Sequence, residues 1–145
     1  MNNSPRTLPP LASRWFLPVA ALVSLGAASL LVAAQAKAPP WVAPPAACKV
    51  VNPVAVTPAV LDTGKKYYTK QCLACHGAKG KGDGPDAADL ERKPGDLSAP
   101  HVKEMTDGEI FWKMSTGKLP MPAQEKILTP EQRWSVIHYV RTLQK

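Results

Sequence analysis

At 145 residues the chain is long enough for one small domain with appended segments. Its 18 Lys and Arg against 11 Asp and Glu give a formal net charge of +7, which bears on solubility and on the encounter with partners rather than on the fold. The lysines are scattered instead of clustered on one helix, which argues against a nucleic-acid-binding protein. No segment alternates apolar and polar residues as a half-buried strand would, so the pattern indicates an all-α fold.

An apolar run near the amino terminus indicates a targeting segment. Arg6 and Arg14 flank the start of an uncharged stretch over residues 15–34, and Ala34-Gln35-Ala36 supplies a small-x-small cleavage site. These features predict a signal peptide over residues 1–36. The run also reaches the length of a membrane span, roughly 20 residues, so an uncleaved anchor through residues 15–34 is the alternative. In both cases we expect the rest of the chain to be exported.

Residues 37–57 are rich in proline and alanine, which predicts a linker in extended polyproline II conformation. Such a segment is expected to be a tether or a strap lying on a partner, with plain disorder near the terminus as the alternative. Cys48 falls in this linker, well beyond the apolar run. A free thiol or an intermolecular link is all that an odd cysteine indicates, and we assign it no role.

The folded domain is predicted over residues 58–145, and it begins with a helix. Thr57 at the N-cap and Pro58 at the first helical position are a start signal. The helix is expected to continue to a stop at Gly77. Gly64 and Tyr68 lie one turn apart on one face, and a glycine within a helix costs about 1 kcal/mol against alanine. We therefore expect another helix to approach closely at Gly64.

The end of this helix carries the most informative motif of the chain, Cys72-Leu73-Ala74-Cys75-His76. Two cysteines two residues apart, followed at once by histidine, form the attachment signature of a c-type haem. Each thiol of Cys72 and Cys75 adds to one vinyl group, and the tether places the His76 imidazole at the iron as proximal ligand. A thioredoxin-like pair would need a βαβ pattern, and a zinc site would need a second cysteine pair, which this sequence lacks.

The centre of the domain is predicted to be mostly loop. Residues 77–84 form a glycine- and lysine-rich loop, which lacks the Gly-Lys-Ser/Thr ending of a phosphate cradle. A short helical turn is expected over residues 86–90 and a loop over residues 94–100. The next helix is predicted to begin at Thr106, with Glu109 completing a capping box. The last helix is predicted to begin at Thr129-Pro130 and to run to the chain end.

A haem with two axial ligands needs a second donor after His76. The candidates are Met105, Met114, Met121, His101 and His138. Met121 lies in an irregular segment between Pro120 and Pro122, whose rings restrict the backbone and leave the side chain little conformational entropy to lose. The sequence therefore predicts Met121 as the second ligand. Met114 falls on an apolar helix face and His138 within the last helix, whereas Met105 and His101 stay open.

These residues together resemble the class I c-type cytochromes, in the small bacterial monohaem branch, over about residues 58–145. The matching positions are Gly64, Tyr68, Cys72, Cys75, His76, Met121 and Tyr139. The resemblance implies a cytochrome c fold of three to five short helices around one covalent haem c. It implies that Gly64 and Tyr68 cross Val136 and Tyr139 of the last helix. It also implies a proline carbonyl that accepts the N–H of the proximal histidine, with Pro85 and Pro94 as candidates.

The function expected from this resemblance is one-electron transport between redox partners of a respiratory chain in the periplasm, without enzymatic activity. Lysines near the two ligand loops are expected to surround the haem edge and to favour acidic partners; they are Lys79, Lys81, Lys118 and Lys126. One alternative is a haem subunit held in a membrane oxidoreductase by an uncleaved leader. Another is an enzyme or gas sensor with an open iron, which would require that Met121 does not bind.

Overall fold

The computed structural model describes residues 40–144, and this range is helical and contains no β-strand. Its α-helices are α1 (Pro45–Cys48), α2 (Pro58–Gln71), α3 (Leu73–His76), α4 (Pro100–Lys103), α5 (Asp107–Thr116) and α6 (Pro130–Thr142), and its 3-10 turns are Ala87–Asp89 and Gln124–Lys126. The predicted all-α class is confirmed, with more short helices than the three to five expected. None of the described helices is long and apolar enough to cross a bilayer. The predicted leader, residues 1–36, lies outside the described residues.

The first long helix begins as predicted but ends earlier. The Thr57 hydroxyl accepts a hydrogen bond from the Val60 N–H, and Pro58 occupies the first turn of α2. The backbone departs from the helix at Cys72, with φ −119° and ψ −35°, and α3 then continues to Gly77. The predicted single helix is therefore two, because the chain turns at the first cysteine of the haem motif.

The caps of the later helices follow the sequence with two differences. α6 begins with a complete capping box between Thr129 and Gln132. At α5 the Thr106 hydroxyl accepts the Glu109 N–H, but the Glu109 carboxylate binds Lys113 at 2.6 Å instead of completing a box. α4 lies where the sequence predicted only loop, because its leading proline follows an extended residue and can start a helical turn.

The helices α2 and α6 cross at the predicted residues. A side chain at Gly64 would overlap the main-chain carbonyl of Ser135, so only glycine permits this approach. The rings of Tyr68 and Tyr139 lie 5.2 Å apart between centroids. Tyr68, Val136 and Ile137 of the crossing have at most 1% of their surface exposed. This contact is the centre of the hydrophobic core and confirms the predicted crossing.

The proline-rich segment that precedes α2 packs on the domain itself. Helix α1 lies against the start of α5, where Gly108 leaves room for the Ala47 and Val50 carbonyls. The Asn52 side-chain amide donates to the Trp134 carbonyl at 3.3 Å. The sequence predicted that this segment would lie on a partner or be disordered, so its packing on the domain was not predicted. The boundaries of the linker at 37–57 and of the domain at 58–145 stay predictions.

Candidate haem site

A cavity of about 400 Å³ lies between α2, α5, α6 and the loops that join them. Its walls are mostly apolar, and they include Cys72, His76 and Met121 from the predicted site. Cys75 lies in α3, where its N–H donates to the Cys72 carbonyl at 3.2 Å. The structure therefore brings Met121 and His76, 45 residues apart in the sequence, to one cavity. Its volume falls within the range of about 300–1,000 Å³ that is typical of ligand and cofactor sites.

The His76 imidazole is oriented by a main-chain carbonyl. Its Nδ1 lies 3.1 Å from the Gly95 oxygen, so Nδ1 carries the proton and Nε2 is left with the lone pair that a metal needs. The expected acceptor was Pro85 or Pro94, and this expectation is wrong by one residue. The Pro94 carbonyl instead lies against the backbone of Gly82, where no side chain fits.

Burial sets the protonation of two groups beside the cavity. Burial lowers the pKa of His76, although the bond to Gly95 raises it in part, so the neutral imidazole that can ligate a metal is favoured. Burial, together with the neighbouring Cys75, raises the pKa of the Cys72 thiol to about 12. A neutral sulfur in an apolar wall suits a thioether link better than a thiolate metal site.

Tyr68 anchors the chain directly after the haem motif. Its buried hydroxyl donates to the Gly77 carbonyl at 2.7 Å, and burial raises the pKa of the phenol well above its usual range. The hydroxyl therefore stays a donor across the ordinary pH range. Because Gly77 follows His76, this bond ties the position of His76 to the α2–α6 core.

The Met121 loop is closed by its own backbone. The Lys118 N–H donates to the Met121 carbonyl and the Met121 N–H donates to the Lys118 carbonyl, each at 3.0 Å. Gly117 precedes this turn with a φ of 64°, and a side chain there would collide with the main chain of residues 121–123. Hydrogen bonds and a glycine thus restrict this loop in addition to its two prolines.

The structure places the other four candidate ligands in different environments. His138 Nε2 donates to the Val54 carbonyl, 2.7 Å away, and this side chain does not line the cavity. His101, Met105 and Met114 do line it. The Met105 sulfur accepts a hydrogen bond from Lys113 Nζ at 3.5 Å, and Met114 is part of the buried core. His101 is exposed. Met121 remains the predicted second ligand.

Polar groups on the cavity wall fit a haem. Gln124 has only 2% of its surface exposed, and no group among residues 40–144 hydrogen-bonds its Oε1. An unsatisfied buried amide oxygen costs about 1–3 kcal/mol, and because it accepts hydrogen bonds its missing partner is a donor and not an ionised propionate. Arg92 and Lys93 also line the cavity and can neutralise the two propionates. Sequence reasoning missed all three, because none belongs to a motif.

Comparison with known proteins agrees with this geometry. The cytochrome c family profile matches residues 61–144, more than half of the chain. The chain belongs to the cytochrome c family. Its site is therefore that of a c-type cytochrome domain, which binds haem c covalently. No curated protein sequence matches the chain.

Solved structures similar to this chain include a chain of a protein complex and a c-type cytochrome. A chain of the Kuenenia stuttgartiensis reducing HAO-like protein complex Kustc0457/Kustc0458 is 31% identical, with a TM-score of 0.57 over 64% of this chain. This cytochrome c spans 47% of that chain, or about half its length. The KustC0563 c-type cytochrome is 24% identical, with a TM-score of 0.49 over 57% of this chain and 98% of its own length.

Proposed function

We propose that this cytochrome c domain carries single electrons between respiratory redox proteins in the periplasm. In this proposal Cys72 and Cys75 hold the haem, and His76 and Met121 are its axial ligands. The observation that supports it is that Cys72, His76 and Met121 all line one cavity, His76 from α3 and Met121 from the loop after α5. The haem supplies a one-electron redox couple, and a methionine ligand raises its potential relative to a second histidine. Two protein ligands leave no axial position for a substrate.

Spectroscopy of the exported, haem-loaded protein tests the ligands. The ferric wild type is expected to show the methionine–iron charge-transfer band at the red end of the visible spectrum. Met121→Leu should lose this band, and its ferrous form should bind carbon monoxide. Met105→Leu is the matched control and should keep the band, because its sulfur is engaged by Lys113. A wild type without the band, or one that binds carbon monoxide readily, would favour the open-iron alternative.

The surface lysines support docking of acidic redox partners. Lys79 and Lys81 border a shallow polar depression of about 330 Å³ together with Lys103. Lys81 also lies 3.5 Å from the exposed Asp96, so part of its charge is balanced. Lys118, by contrast, lines the haem cavity. Of the four expected lysines, Lys79 and Lys81 thus border this depression with Lys103, Lys118 lines the haem cavity, and Lys126 lines neither of the two.

Salt dependence tests the docking surface. Oxidation of the ferrous protein by ferricyanide, an anionic probe, should slow as the ionic strength rises, because charges beyond about 10 Å are screened at 0.1 M salt. The triple variant Lys79→Glu, Lys81→Glu and Lys103→Glu should react several-fold more slowly at low salt. Lys65→Glu, at an exposed position of α2 outside the expected ring, is the single-charge control. A rate that does not change with salt would remove the electrostatic part of the proposal.

A second candidate is a fixed subunit of an oxidoreductase complex. It is favoured by the similarity to one chain of a protein complex, and this protein spans about half the length of that chain. Chemistry at the haem would be unchanged, but the protein would not diffuse between partners. Sequencing the mature amino terminus decides between them: a chain that starts near Lys37 favours the mobile carrier, and an intact Met1 favours the anchored subunit.

A further inference from the structure

The segment that leads into α2 reaches the haem cavity. We define the N-terminal strap as residues 40–56. Trp41, near its start, is half-buried and lines the cavity that holds Cys72 and Met121. Ala43, two residues later, has only 3% of its surface exposed. The resemblance to class I cytochromes begins after this strap, so the family pattern assigns no role to Trp41.

Contacts at several points hold the strap to helices that also form the cavity wall. The carbonyls of Ala47 and Val50 lie against Gly108 of α5, where a side chain would collide with them. The Asn52 amide reaches the Trp134 carbonyl of α6 at 3.3 Å. Further along, His138 of α6 meets the Val54 carbonyl at 2.7 Å. The strap is therefore positioned by the same two helices, α5 and α6, that line the cavity.

We propose that Trp41 is a positioning residue that closes one side of the haem cavity, excludes water from the haem and so raises its reduction potential. Oxidation adds one positive charge at the iron, and a charge is less stable when water is kept away. Burial and local dielectric are among the features by which a protein sets a haem potential. The indole is a large apolar group on this wall, and no sequence motif encodes it. The inference rests on the haem occupying this cavity and goes beyond the proposed carrier role.

Substitution of Trp41 tests the proposal in the full-length, haem-loaded protein. Trp41→Ala should shift the midpoint potential downward, and imidazole should bind the ferric form at least ten-fold faster. Trp41→Phe keeps an apolar ring and should lie close to the wild type in both measurements. Trp112→Ala is the matched control, because Trp112 is half-buried on α5 but is not part of the cavity wall. Its potential and imidazole rate should be those of the wild type.

A second variant moves the strap without altering the indole. Gly108→Ala places a methyl group against the Ala47 carbonyl, so α1 must shift away from α5. This variant should change the potential and the imidazole rate in the same direction as Trp41→Ala. If Trp41→Ala matched the wild type in both measurements, the shielding role would be overturned. That result would leave the carrier proposal intact, because the carrier proposal is tested separately by the methionine–iron band, by carbon monoxide binding and by the mature amino terminus.

Discussion

Replacement of Tyr68 by phenylalanine isolates one hydrogen bond of the site. Tyr68 has 1% of its surface exposed, and its hydroxyl donates to the Gly77 carbonyl at 2.7 Å. Phenylalanine keeps the ring that packs on Tyr139 and removes only the hydroxyl. The Gly77 carbonyl also accepts the Gly80 N–H at 3.2 Å, so it is not left without a donor. The variant should therefore fold and retain its haem.

The expected loss of stability follows from this second donor. A hydrogen bond contributes about 0.5–1.5 kcal/mol to stability, and a buried carbonyl left without any donor would increase the loss. Because Gly77 keeps the bond from Gly80, we expect Tyr68→Phe to lower the free energy of unfolding by about 1 kcal/mol. For a domain of this size that corresponds to a fall in Tm of roughly 4–8 °C.

The pH dependence of the loss provides a separate check. Burial raises the pKa of Tyr68 in the folded protein above its usual value of 10.0, so the phenol ionises more readily in the unfolded chain. The stability that the hydroxyl contributes is then fully present below about pH 10 and declines above it. The difference between wild type and Tyr68→Phe should be constant from pH 6 to about pH 9 and should narrow at higher pH.

Guanidinium unfolding of the ferric protein, followed by tryptophan fluorescence, measures both effects. Tyr67→Phe is the matched control, because its partly buried hydroxyl accepts from Gln132 of α6 at 2.6 Å and forms no bond to the haem motif. Because this hydroxyl is only partly buried and solvent can replace it as the partner of Gln132, its loss should cost about 0.5 kcal/mol, the low end for a hydrogen bond. Equal losses in the two variants, or a difference that widens above pH 10, would refute the assigned role of Tyr68.

Two further substitutions test the packing around the site. Gly64→Ala gains about 1 kcal/mol of helix propensity but forces a methyl group against the Ser135 carbonyl, so calorimetry should show a net loss of about 1–2 kcal/mol. Lys65→Ala, at an exposed position of the same helix, is the control and should leave the Tm nearly unchanged; equal effects would contradict the crossing. Arg141→Met removes an ion pair to Asp107 at 2.7 Å together with bonds to three carbonyls before α5, and should cost about 2 kcal/mol in chemical unfolding. A loss below about 0.5 kcal/mol, the usual size for an exposed pair, would show that this network is not structural.

Features encoded by adjacent residues were predicted well from the sequence. The Thr57-Pro58 and Thr129-Pro130 starts are local hydrogen-bonding signals, and both appear as expected. The Gly64 crossing was also predicted, because a glycine weakens a helix and its missing side chain lets a second backbone come close. The cytochrome c family followed from the haem motif and the methionine loop together. Whether Cys72, Cys75, His76 and Met121 bind the haem stays a prediction.

Features set by distant contacts were not predicted. The carbonyl that accepts the His76 N–H belongs to Gly95, because the contact between Pro94 and Gly82 positions this loop. Neither residue's neighbours in the sequence indicate that contact. Gln124 looks like an ordinary loop residue until the fold buries it on the cavity wall. Trp41 lies in a segment whose composition indicates an extended linker, and its position depends on α5 and α6. The composition of such a segment indicates its backbone conformation, but it does not indicate which surface of the domain the segment packs on.

The closed turn at Met121 has a consequence for the speed of electron exchange. Two reciprocal main-chain bonds join Lys118 and Met121, and Gly117 packs against the same turn. With Met121 as ligand, a sulfur held this way has nearly the same resting place in both oxidation states. Little nuclear rearrangement then accompanies the gain or loss of an electron, as in other sites whose groups are oriented in advance. The turn would thus keep the activation barrier low in both directions, so that the protein accepts and releases electrons with similar ease.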